Sequence, residues 1–308
     1  MLERLYEEET CYLFNSIDCG PQRGPSSLSR ILAQQKSFSK ELAMLNFLIF
    51  SKDRACQLDL LLRGIKLLFQ PNYSNNFNVS VLHTYSENHK DSYENCKIEH
   101  PNINWIHENS FEVQTKQIIE SFQYTCLLTD DTVFFRKFSL LVPPKHNECF
   151  SWRLGYNTVI QNHVNQVYQP LLVPDYYSDN IISWNPNRYP EWFNYGYPFS
   201  FDGHVYFSKT LLDIIKDKTF NSTNVLEGIL HSYRSNISKI TSNVHSSCVN
   251  VPCNNISGLT AYGSKHEYDM NFLKNTYMSG KRIRFDSFDK PIRGCHQEFE
   301  FNFYSIGG

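Results

Sequence analysis

The sequence predicts an α/β protein built on a doubly wound, mainly parallel sheet. Short apolar runs alternate with segments of helical period between residues 45 and 129, and that alternation implies right-handed crossovers. Polar turns follow the apolar runs at Ser51–Arg54 and Thr129–Asp131. Both fall on the carboxyl edge of such a sheet, where ligands bind in this architecture. The composition supplies the core: 41% of the 308 residues are hydrophobic and 15% aromatic, so disorder is excluded.

The elements follow in order. Leu45–Phe50 is an apolar run, read as a buried strand. Gln57–Phe69 carries Leu58, Leu61, Leu62, Ile65 and Leu68 at helical spacing, and Pro71 ends it. Val79–Tyr85 is a second strand, and the polar stretch Ser86–Glu99 reads as a loop with a short helix. Ile103–Ile106 is a third strand, Phe111–Ser121 a helix and Tyr124–Thr129 a fourth strand. Beyond residue 145 the pattern is less regular. Ile182–Tyr197 reads as an ordered loop or short hairpin, and Gly203–Phe207 as a strand. Helices follow at Ser208–Lys216 with Ser208 as N-cap, at Asn224–Ser232, and at Asp269–Ser279 with Gly280 as its stop. Residues 1–44 read as an appended helical arm. Residues 45–145 and 146–308 read as two halves of one domain, the second less regular than the first.

Charge and motifs narrow the function. Twenty-nine basic against 31 acidic residues give a net charge of −2, which excludes a bulk-charge nucleic-acid binder. No window is apolar enough to span a bilayer. The first nine residues are acidic, unlike a secretory signal, and nine scattered cysteines suit reduced thiols. A cytoplasmic protein is expected, with association at the inner membrane face allowed. No Gly-x-Gly-x-x-Gly or Walker A run follows the first strand, which excludes a dinucleotide cofactor and P-loop chemistry.

Three clusters can carry chemistry. Asp130 and Asp131 are paired carboxylates at a strand end, suited to Mg²⁺ or Mn²⁺ with phosphates and water completing the shell; an Asp-Asp turn capping the next element reads equally from these residues. Ser51, Asp53 and Arg54 can meet a nucleotide, the carboxylate through a base or ribose edge and the guanidinium through a diphosphate; a solvated turn with Asp53 as helix N-cap is the alternative. Asp202 and Glu227 are acidic residues of the second half. Asp202 precedes Gly203 in a hairpin-like dipeptide, and Glu227 opens a helix, where the dipole would keep it ionised. Arg153 sits among apolar residues and needs an anion, either a diphosphate or a buried carboxylate. Trp184, Tyr189, Trp192, Phe193, Tyr195 and Tyr197 can stack on sugar faces or pack a core. His204 reads as a packed or surface histidine, not a ligand.

In their order along the chain these motifs resemble the glycosyltransferases of the GT-A fold, close to the family 2-like group. The resemblance rests on Phe47–Arg54, Thr129–Asp131, Phe150–Gly155, Phe201–His204 and Asn224–Gly228, across residues 45 to about 285. It implies a nucleotide-sugar donor, UDP-linked by family frequency, a divalent Mn²⁺ or Mg²⁺, and a carboxylate base. Asp131 takes the place of the last, metal-binding Asp of the family's Asp-x-Asp motif, which here reads Thr129-Asp130-Asp131, and Asp130 would contact ribose or metal. Glu227 takes the place of the base, with Asp202 its rival, and one of His245, His266 and His296 can join the metal. The implied acceptor is a surface glycan or lipid-linked sugar in polysaccharide biosynthesis, and the transfer inverts. A sugar nucleotidylyltransferase is the alternative, though the first turn lacks its glycines. A non-catalytic glycan-binding relative is the other.

Overall fold

The structure, a computed structural model, describes residues 45–70, 77–162, 167–254 and 268–306. The expected helical arm over 1–44 lies outside the described residues. The chain runs β1 (Leu45–Lys52), α1 (Ala55–Leu68), β2 (Phe77–Thr84), α2 (Lys90–Glu99), β3 (Asn104–His107), α3 (Phe111–Glu120) and β4 (Tyr124–Thr129). It continues through β5 (Thr132–Phe134), β6 (Glu148–Ser151), β7 (Ile160–Asn162), β8 (Val167–Tyr168), β9 (Tyr176–Tyr177), β10 (Ile181–Trp184) and β11 (Asp202–Phe207). Then come α4 (Ser208–Ile215), α5 (Thr223–Ser232), β12 (Lys239–Asn243), β13 (Cys248–Asn250), α6 (Met270–Met278), β14 (Lys281–Ile283) and β15 (Phe303–Ser305).

A nine-stranded sheet in the order β3-β2-β1-β4-β11-β6-β12-β10-β9 forms the frame. The four strands read from the first half are parallel, and β1, β2 and β4 are the buried apolar runs such a sheet favours, with the half-exposed β3 at its edge. Alternation along β1 explains the two layers. Phe47 and Ile49 face α1, α2 and α6 through one core, while Leu48 and Phe50 face α3, α4 and α5 through the other. The second half makes the sheet mixed. β11 runs antiparallel to both β4 and β6, β12 is parallel to β6, and β10 is antiparallel to β12. The segment expected as a loop or hairpin at 182–197 therefore contributes β10 to the main sheet.

Two local readings change. Ser208 is not an N-cap: the cap position is Phe207, and the Ser208 hydroxyl instead meets Thr125 Oγ1 at 2.8 Å. Asp202-Gly203 is not a hairpin turn either. It opens β11 with a register shift against β4, and Gly203 has φ +104°. A Cβ there would lie 2.6 Å from Cys248 Sγ, which glycine alone avoids. Gly203→Ala is expected to cost on the order of 1–3 kcal/mol, from positive φ and steric conflict together. An unchanged melting temperature would refute that. The bulge is what turns the start of β11 toward the end of β4, and it sets the position of Asp202.

Candidate active site

The carboxyl ends of β1 and β4 bring the two polar turns together. Asp130 is buried and points back onto the first turn. Its Oδ2 accepts hydrogen bonds from Ser51 Oγ at 2.8 Å and Lys52 N at 3.1 Å, and its Oδ1 from Arg54 Nη1 at 3.1 Å. Asp130 thus shapes the β1 turn through both of its oxygens. Burial raises the Asp130 carboxyl above its ordinary range and Asp131 adds to this, while Arg54 opposes both.

Asp131 is the more open of the pair, with 13% of its side chain exposed against 4% for Asp130. Its Oδ2 accepts from Arg54 Nη1 at 2.9 Å and its Oδ1 from Asn250 Nδ2 at 2.8 Å. Hard carboxylate oxygens at an accessible edge suit a divalent cation that takes only one or two protein ligands. Asp131 fits that role, and Asp130 supports it from behind. A second acidic group, Asp59, Glu99 and His100, also brings ligand atoms within 4.8 Å of one another. There Arg63 Nε holds Asp59 at 2.8 Å and Arg282 pairs with Glu99, so two arginines balance two carboxylates, whereas Arg54 alone serves both Asp130 and Asp131. That cluster ties α1, α2 and β14 together.

Asp53 does not cap α1. The cap position is Arg54, with no side-chain bond, and Asp53 itself has φ 56°. Its Oδ1 accepts from Ser86 N at 2.7 Å and Ser86 Oγ at 3.2 Å, so it fastens the start of the loop after β2 beside the carboxyl end of β1.

On the other side of β4, Asn250 continues the chain of contacts. Its Nδ2 reaches Asp202 Oδ1 at 3.1 Å as well as Asp131. The Asp202 Oδ2 atom lies 3.2 Å from Arg153 Nη1, 2.9 Å from Ser200 Oγ and 3.5 Å from His296 Nε2. Burial alone would push this carboxyl up; Arg153 beside it, with His296 and Ser200, more than offsets that and holds it well below the usual carboxylate range. Arg153, expected at a diphosphate or a buried carboxylate, has the carboxylate, and its Nη2 donates to Asn194 Oδ1 at 3.0 Å.

Glu227 lies in the fifth residue of α5, so it is past the first turn and the dipole argument does not apply. Its carboxyl is instead raised to about 7, by burial first and by the Asp202 carboxylate second, against the pull of Arg153 and a hydrogen bond with Tyr197. Tyr197 stacks on His231 with ring centroids 4.1 Å apart. The other expected sugar-stacking aromatics are mostly interior: Trp184, Tyr189 and Tyr195 are buried, and Trp192 is 66% exposed. His204 is buried, the packed one of its two readings. Of the late histidines, His296 meets Asp202, His245 is exposed, and His266 lies outside the described residues.

Sequence reasoning missed Asn250 entirely. It sits on the three-residue β13 in a stretch with no periodic pattern, and the backbone bridge between Asn250 and His296 carries both to the site.

No family model matches the chain and no curated protein does. Solved structures that the chain resembles include the following, all at low identity. GalNAc-T7 with UDP, GalNAc and Mn²⁺ is 9% identical over 77% of this chain, with a TM-score of 0.44. S. aureus TarS 1-349 is 9% identical over 67%, at 0.41. The mannosyltransferase PcManGT from Pyrobaculum calidifontis, in complex with GDP-Man and Mn²⁺, is 9% identical over 40%, at 0.27. The chain spans 48%, 59% and 42% of those three chains respectively. Among the described residues, no helix is long and apolar enough to cross a membrane.

Proposed function

We propose that the chain transfers a sugar from a nucleotide donor, UDP-linked, to a hydroxyl of a glycan or lipid-linked acceptor with inversion, and that it depends on Mn²⁺ or Mg²⁺. The observation that carries the reading is a contact chain between acidic groups of unlike environment. Asn250 Nδ2 bridges Asp131 and Asp202, and beside Asp202, whose carboxyl Arg153 holds low, the Glu227 carboxyl is raised to about 7. Environments that push neighbouring carboxyl groups apart in this way assign them different roles.

In this reading residues 45–145 take the donor. Ser51, Asp53 and Arg54 line its edge, and Asp131 would hold the cation, which when bound neutralises charge on the departing diphosphate. Residues 146–308 take the acceptor. Glu227 accepts the proton of the acceptor hydroxyl as that oxygen bonds to the anomeric carbon. The bond from that carbon to the diphosphate oxygen breaks in the same step, and the nucleoside diphosphate leaves. A base near neutral pH accepts a proton efficiently and is still ionised in a useful fraction. Asp202, the rival for this role, has both oxygens committed to neighbours and holds Arg153 and Asn250 in position. A panel of nucleotide-sugars, screened for thermal shift and hydrolysis with and without Mn²⁺, tests the reading. Metal-enhanced binding of one donor is expected, and no response to any nucleotide would refute it.

Asp53→Ala is expected to raise the donor KM more than it lowers kcat. The loop that Asp53 fastens contacts donor groups which do not change in the transition state. Steady-state kinetics at varied donor check this, and a kcat loss at unchanged KM would contradict it.

A further inference from the structure

We infer that Arg54 is a built-in counter-ion, holding the cation's place between Asp130 and Asp131, and that it must release Asp131 before a cation can bind. This rests on the reading of Asp131 above. One nitrogen, Nη1, lies 3.1 Å from Asp130 Oδ1 and 2.9 Å from Asp131 Oδ2. That is the place a cation shared by adjacent carboxylates would occupy.

The guanidinium is held there from several sides. Its Nη2 donates to the Asn254 carbonyl, and the main chain beneath it is fixed by the Arg54 backbone N–H, which donates to Tyr93 Oη at 3.2 Å. Its Nε is enclosed with no hydrogen-bond partner. The two carboxylates are not equally free to let go. Asp130 keeps Ser51 and the Lys52 amide on its second oxygen, whereas Asp131 has Asn250 and the more open position. The bond that yields is therefore the one from Arg54 to Asp131.

Charge fixes the order of binding. Two carboxylates and one guanidinium leave a single negative charge. A divalent cation arriving alone would face Arg54 at close range with only that charge to hold it. A cation arriving with a nucleoside diphosphate brings the anion that Arg54 can turn to, as a fork suited to phosphate oxygens. Arg54 thus makes cation binding conditional on the diphosphate and keeps Asp131 from loading metal in its absence.

The test is Mn²⁺ binding to the full chain, read from free Mn²⁺ by electron paramagnetic resonance, with and without UDP. The native chain is expected to bind Mn²⁺ weakly alone and more tightly with UDP. Arg54→Gln removes the competing charge, so it should bind Mn²⁺ alone about tenfold tighter or more, and lose most of the UDP enhancement. Arg54→Lys keeps the charge without the fork and should fall between the two; it carries the test if the glutamine variant does not fold. Mn²⁺ affinity no higher than native in the variants that fold overturns the inference. If native and variant chains bind Mn²⁺ alike without UDP as well as with it, the metal reading stands and the role of Arg54 falls. If none binds Mn²⁺ even with UDP, both fall.

Discussion

Asp131→Asn is expected to lower turnover at limiting Mn²⁺ by at least about a hundredfold while the fold persists. The substitution removes the charge from the one carboxylate of the pair that faces outward, and a hard cation with few protein ligands loses most by that change. The local structure can absorb it. The new side-chain carbonyl still accepts from Asn250 Nδ2, and Arg54 keeps Asp130 and the Asn254 carbonyl. Asp130→Asn should behave differently. Asp130 organises the β1 turn through Ser51 Oγ, Lys52 N and Arg54, so its variant should lose thermal stability together with activity. Turnover against Mn²⁺ concentration, with melting curves for both variants, separates the two roles. Unchanged turnover of Asp131→Asn at limiting Mn²⁺ would remove Asp131 from the metal site.

The contrast between the two aspartates also marks how far the sequence could be read. The strands β1, β2 and β4 were legible as short buried apolar runs set between segments of helical period, and the polar turns at their ends had to share an edge. The pairing of Ser51–Arg54 with Asp130 and Asp131 follows from that alone. The division of labour within the pair does not, because it depends on which carboxylate faces the β1 turn. The second half was less legible for a different reason. β6, β10, β12 and β13 are three to five residues long, too short for a period to show. Asn250 and His296 reach Asp202 through a single bridge between distant segments, and no local pattern encodes that. The aromatic run from Trp184 to Tyr197 illustrates the converse. Rings that can stack on sugars also fill cores, and three of the six are buried in one. Glu227 was found by its place in a motif, but the physical reason was wrong: burial and the Asp202 carboxylate set its proton affinity, not a helix end.

Glu227→Gln is expected to lower kcat by about 10²–10⁴ with donor binding nearly intact, the usual loss when a general base is removed. The pH dependence sharpens this. With its carboxyl raised to about 7, the native protein should lose kcat/KM below that pH as Glu227 takes up a proton, approaching tenfold per pH unit. The residual activity of the variant should lack that limb. Stability should move the opposite way. A carboxyl raised in the folded state binds its proton more tightly there than in the unfolded chain, so native stability falls as pH rises from the ordinary carboxyl range through about 7. Glutamine carries no charge into the site, so the variant should melt higher than the native protein at pH 8, and the difference should shrink toward pH 5. Asp202→Asn should do the reverse. Its carboxyl is held low by Arg153, so the variant should lose stability at neutral pH, where it strands that buried guanidinium. Kinetics at saturating donor and varied acceptor, with melting curves at pH 5 and 8, test both variants together. If Asp202→Asn loses turnover at unchanged stability while Glu227→Gln keeps most of its turnover, the proton goes to Asp202 and the two roles are exchanged.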